Sequence, residues 1–109
     1  MNVSAVNLNT VFQDTKEPWQ PVDVARVNDH MARLALLHGE YHWHQHSAED
    51  EMFYVYKGHI VIQFREQPNV TVKQGELAVV PAGTEHRTLA TEPAWVLLFE
   101  PATTQTAGD

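Results

Sequence analysis

The sequence predicts an all-β domain, a sandwich or barrel built from many short strands. Runs rich in Val, Ile, Phe and Tyr recur from Val22 onward. Turn signals punctuate them at Gly39, Gly58, Gln67-Pro68-Asn69, Gly75 and Pro81-Ala82-Gly83. No apolar period of the helical kind is sustained anywhere. Short β-type runs bounded by closely spaced turn residues are the pattern of sandwiches and barrels.

The elements follow in order. Residues 1–21 read as a lead-in, with loop character at Thr15-Lys16-Glu17-Pro18-Trp19-Gln20-Pro21 and a short edge element from Val6, Leu8, Val11 and Phe12. The barrel occupies residues 22–101, with strands expected at 22–27, 31–37, 41–46, 51–57, 59–65, 70–73, 77–80, 86–90 and 95–99. Residues 102–109 form a tail expected to pack poorly. Alternation along a strand sorts the faces. If Glu51 faces in, so do Phe53 and Val55, and Ile60, Ile62 and Phe64 form an apolar face on the next run. Phe53, Val55, Ile62 and Phe64 are therefore the expected pocket lining. On the last run either Val96 and Leu98 or Trp95, Leu97 and Phe99 face inward; alternation alone leaves both open.

Composition bounds the rest. A chain of 109 residues is one domain with one core. It has no cysteine, which excludes disulfides, thiolate ligands and thiol nucleophiles. The net charge is −7 and the seven Lys and Arg residues are scattered singly, which argues against a nucleic-acid or anionic-membrane surface. No phosphate-cradling glycine loop is present. The start, Met1-Asn2-Val3-Ser4-Ala5-Val6-Asn7, lacks the basic and apolar regions of a signal peptide, and no run approaches the roughly 20 apolar residues of a membrane span. The cytoplasm is the expected compartment.

The chemistry lies in two segments. The first, His44-Gln-His46-Ser-Ala-Glu-Asp-Glu51, offers two imidazoles and a carboxylate; the second ends at His86. Side chains two apart on a strand share a face, with Cα atoms roughly 6–7 Å apart, so His44 and His46 can converge on one ion. Ser47-Ala48-Glu49-Asp50 reads as a turn that brings Glu51 back beside them. Three imidazoles and one carboxylate suit a divalent metal with positions left for a substrate. Glu49 and Asp50 are rival carboxylates. Tyr41 and Trp43 should point away from the metal, Tyr54 and Tyr56 belong to the outer face, and Arg33 fits a surface or interface salt bridge. His42 shares the parity of His44 and His46, so it is a candidate acid/base or a residue at the barrel mouth. His30, His38 and His59 have no partner spacing.

These segments resemble the two motifs of the cupin superfamily. The first motif is a glycine, His-x-His, three or four residues, Glu, six residues and Gly; His44, His46, Glu51 and Gly58 match, with Gly39 one residue nearer His44 than usual. The second is Gly, five residues, Pro-x-Gly, two residues, His, three residues and Asn; Gly75, Pro81, Gly83 and His86 match, with Ala90 in the Asn position. The six-residue gap to Gly58 singles out Glu51 over Glu49 and Asp50. Further likeness at Asn28–Leu34, Trp43–His46 and Glu100–Asp109 is to small stand-alone bacterial cupins of the "mannose-6-phosphate isomerase-like" group.

The resemblance implies a double-stranded β-helix, or jelly-roll barrel, with His44, His46, Glu51 and His86 as ligands. The ion is one of Zn, Mn, Fe, Ni or Co. It implies an oxidoreductase of dioxygenase type or an isomerase, acting on a small organic molecule in the barrel, and a homodimer. The alternative is a non-catalytic binding or sensing module with a structural metal. Fold kinship alone does not choose between them.

Overall fold

The computed structural model describes residues 2–109. Among these, one helix, α1 (Leu8–Asp14), precedes seven strands: β1 (Val22–Val27), β2 (His30–Glu40), β3 (Glu51–Lys57), β4 (His59–Phe64), β5 (Val70–Lys73), β6 (Leu77–Val80) and β7 (His86–Pro101). The short element expected in the lead-in is a helix. Asn7 caps it by accepting from the Asn9 N–H at 2.9 Å. Its Phe12 packs edge-on against Trp95 at 4.5 Å between ring centroids.

All ladders are antiparallel. β7 is the organising strand. Along one edge it pairs with β2 from His30↔Pro101 to Glu40↔Leu89. Along the other, its first half pairs with β4 and its second half with β3. β5 extends the β4 side and β6 the β3 side. Side chains from both sides meet in one core, including Ala35, Val55, Ile62, Val72, Val80 and Val96, so the sheet is rolled onto itself.

The runs expected at 86–90 and 95–99 are one strand. Glu92 and Pro93 lie where β7 changes partner from β4 to β3, outside every paired register, so the missing N–H of proline breaks no ladder bond. Gly58 turns β3 into β4 at the same place. Its φ is +88°, and a Cβ there would meet Ala94 Cβ and Pro93 O at 3.1 Å, so only glycine fits without strain.

Two further expectations are corrected. Residues 41–46 are not a regular strand; they run beside β7 and are tied to it by Tyr41 N–H to Thr88 O at 2.9 Å and by a reciprocal His44–His86 bridge. The tail is well held. Thr104 is buried, Asp109 N–H donates to Gln45 O at 3.0 Å, and the Asp109 carboxylate accepts from Ser47 N–H at 2.6 Å. On the last strand the even-numbered set faces inward: Val96 and Leu98 are buried.

Candidate metal centre

Main-chain bonds place the four side chains. His44 and His86 exchange N–H···O bonds of 3.0 and 2.9 Å, and Gly83 N–H donates to His46 O at 2.8 Å. Glu51 opens β3 and His86 opens β7. His44, His46, Glu51 and His86 each offer a ligand atom within 4.8 Å of the others. Glu51 also shows how far β7 bends. A straight strand would separate His86 from Glu100 by about 46 Å. Yet His86 Nε2 is 3.8 Å from Glu51 Oε1, and Glu100 lies within hydrogen-bonding reach of the same carboxylate.

Hydrogen bonds orient the rings. His44 Nδ1 donates to His42 O at 3.0 Å and His86 Nδ1 to Thr84 O at 2.8 Å. That leaves each Nε2 as a lone-pair donor facing the cluster. His46 Nε2 is 3.3 Å from Glu51 Oε1, an ion-pair distance without hydrogen-bond geometry. Both His46 nitrogens, Glu51 Oε2 and His86 Nε2 are buried without a partner. Buried polar atoms are normally satisfied, because each orphan costs on the order of 1–3 kcal/mol. One such atom each from His46, Glu51 and His86, with His44 beside them, fits a divalent cation, which would take their lone pairs together.

Electrostatics prepare the donors. Burial, reinforced by the neighbouring imidazoles, lowers His44 to about 4, so the ring is neutral at physiological pH. The Glu51 carboxylate raises His46. Burial opposes ionisation of Glu51, but His46 and His86 outweigh it and hold its carboxyl below the usual range. Glu100 behaves oppositely: burial, then the adjacent Glu51, pushes it up to about 8. Glu100 is fully buried; its Oε1 accepts from Arg33 Nη1 at 2.7 Å and Thr106 Oγ1 at 2.9 Å, while Oε2 has no partner. A proton on Glu100 supplies the donor the two carboxyl groups lack. Arg33 is itself held by Asp23 and by the Ala102 and Thr104 carbonyls.

The cluster opens into a cavity of about 140 Å³. Trp19, Leu37, Tyr41, Phe53 and Leu98 form its apolar walls; His44, Glu51, Thr88 and Thr106 supply its polar atoms. Of the expected lining residues, Phe53 is on the wall. Val55 and Ile62 share its inward parity but lie deeper, sealed in the core, and Phe64 borders a separate polar depression with Arg65 and Glu85. His42 is exposed with Nε2 on Ala107 O at 2.8 Å, outside the ligand cluster. Tyr41 turns toward the cavity rather than away, because residues 40–46 leave the alternation of a regular strand; Trp43 does face out, under the guanidinium groups of Arg65 and Arg87. Sequence reasoning missed Glu100, Trp19, Tyr41 and Thr106. Only Glu100 carried a usable signal, since it continues the inward parity of Val96 and Leu98.

The rolled antiparallel sheet and its cluster of three histidines and one glutamate define a small β-barrel with a candidate metal site. The chain belongs to the Cupin domain family, whose pattern it matches over residues 34–99. It is 38% identical over 82 residues to the uncharacterized protein YdbB of Bacillus subtilis, covering 75% of this chain and 73% of that one. A cupin-2 domain protein from Shewanella frigidimarina superposes with a TM-score of 0.85 at 38% identity, over 88% of this chain and 93% of the other. Protein NMB1881 of Neisseria meningitidis gives 0.83 at 30% identity, over 90% and 99%. The fold is therefore the cupin jelly roll.

Proposed function

We propose that this cupin is a metalloenzyme of oxidoreductase, dioxygenase or isomerase type that acts on a small organic molecule in the barrel. One observation carries the reading: unpartnered donor atoms of His46, Glu51 and His86, with His44 beside them, converge at a cavity otherwise walled by apolar side chains. His44, His46, Glu51 and His86 would hold the ion. When bound, a divalent metal supplies Lewis acidity or a water of lowered pKa. The chain's own contribution is to fix the His44 and His86 tautomers, to exclude water with the apolar wall, and to hold the buried Glu100 carboxyl against Glu51. The donor set suits Zn, Mn, Fe, Ni or Co without choosing among them.

The same reading includes membership of the "mannose-6-phosphate isomerase-like" group, a cytoplasmic location and a homodimer without a nucleic-acid partner. Exposed apolar side chains on the edge strands support the dimer: Val22 and Val27 on β1, Leu77 and Val79 on β6. No helix among the described residues is long and apolar enough to cross a membrane.

Elemental analysis of untagged protein purified without chelator, beside His44→Ala and His86→Ala, tests the metal. About one equivalent of a divalent metal in the native protein, lost in both variants, is expected. A native protein that holds none and takes up none on titration would sink the proposal.

A further inference from the structure

Trp19 adopts φ +65°, a left-handed conformation that is an outlier for a bulky residue. Such strain persists only where surrounding structure enforces it. Here the enforcement is visible. Pro18 bridges Leu36, and Trp19 N–H donates to Leu36 O at 2.9 Å, pinning the lead-in across the barrel mouth. The indole then stacks on Tyr41, with centroids 4.5 Å apart and planes 23° apart, and both rings line the cavity. The lead-in is thus a wall of the site.

The cavity's size and charge define what fits beneath that wall. A volume of about 140 Å³ matches a single six-membered ring; a dry cavity of roughly 150 Å³ takes up benzene. No Lys or Arg lines it. Arg33 has its guanidinium occupied by the Asp23 carboxylate, the Glu100 carboxyl and two carbonyls. Glu51 adds negative charge. A phosphate ester would enter with no cationic side chain to meet it. An aromatic ring would meet Trp19, Tyr41 and Phe53. His44, His46, Glu51 and His86 would hold the ion, and a divalent ion so held would have room left for oxygen donors of a ligand.

We infer that the cavity selects a small monocyclic aromatic bearing adjacent hydroxyl oxygens, a catechol-type ligand, with Trp19 as the residue that sets this selectivity. The inference rests on the metal-centre reading.

The probe is Co(II), loaded into chelator-treated full-length protein, whose visible absorption reports on ligands reaching the ion. The loaded protein is titrated with catechol, with cis-cyclohexane-1,2-diol and with mannose 6-phosphate. The expected result is saturable spectral change with catechol, and at least about tenfold weaker response to the other two. Trp19→Ala should weaken catechol by about tenfold while Co(II) affinity stays unchanged, and Trp19→Phe should recover most of the loss. Equal response to all three compounds in the native protein, or catechol affinity indifferent to Trp19→Ala, overturns the inference and leaves the metal centre standing. Comparing the three compounds on the native protein does so even if a variant fails to fold. Absence of Co(II) binding removes the metal centre and this inference with it.

Discussion

Replacing Glu100 with glutamine should change how the metal-free protein's stability depends on pH. Glu100 is fully buried beside Glu51 and is pushed from 4.5 up to about 8. Between those values the folded chain holds a proton that the unfolded chain has released. Stability therefore falls as pH rises through that window, by at most about 1.4 kcal/mol per pH unit. Glutamine preserves the acceptor for Arg33 and Thr106 and offers an amide N–H₂ toward Glu51, but it cannot lose a proton. Its stability relative to the native protein should rise by about 2–4 kcal/mol between pH 5 and 8, the range allowing for a proton shared between the two carboxyls and for the coupling of Glu100 to His46. His46, also raised, contributes with the same sign; Glu100 itself helps to raise it, so the difference reads Glu100 together with that coupling. Urea unfolding in chelator at pH 5, 6, 7 and 8 measures it. Parallel profiles, or a variant that loses ground as pH rises, would refute a neutral Glu100 at the site.

Two further substitutions probe how the backbone holds the site. Gly58→Ala places a Cβ 3.1 Å from Ala94 Cβ and Pro93 O at φ +88° and should cost about 1–3 kcal/mol in denaturant unfolding; a cost near zero would mean the β3–β4 turn is looser than described. Gly108→Ala would set a Cβ 2.6 Å from His44 Cβ, whereas Gly75→Ala meets nothing within 4 Å at a similar positive φ. The first should weaken Co(II) binding by about tenfold relative to the second, since disturbing the groups that orient a metal ligand typically costs about 10–100-fold; equal affinities would show that the tail does not brace His44.

Legibility followed the range of the information. His44, His46 and Glu51 share one short stretch, and the motif spacing added His86, so the cluster was readable before the fold. The β-runs of β1, β3, β5 and β6 were readable because alternation and turn residues are local signals. α1 escaped because seven residues are too few for a helical period to stand out. β7 was read as two runs, 86–90 and 95–99, since nothing local reveals that Glu92 and Pro93 fall between two registers of one strand. The cavity walls escaped for the same reason. Trp19 is placed by a bond to Leu36 and Tyr41 by a bond to Thr88, and neither contact has a trace in the residues nearby. Glu100 depended on the parity of the last strand, which alternation left open.

The way β7 is placed has a thermodynamic consequence. His44, His46 and Glu51 can approach one another in a chain that has formed little else. His86 reaches them only when β6 has paired with β3 and the chain beyond it has bridged His44, and the bend of β7 then brings its far end, with Glu100, to Glu51. The fourth ligand is thus contributed by tertiary pairing. An ion that needs all four donors binds the closed barrel and discriminates against every more open form. Its binding free energy then falls on the same coordinate as global unfolding, so metal supply and barrel integrity would be read out together.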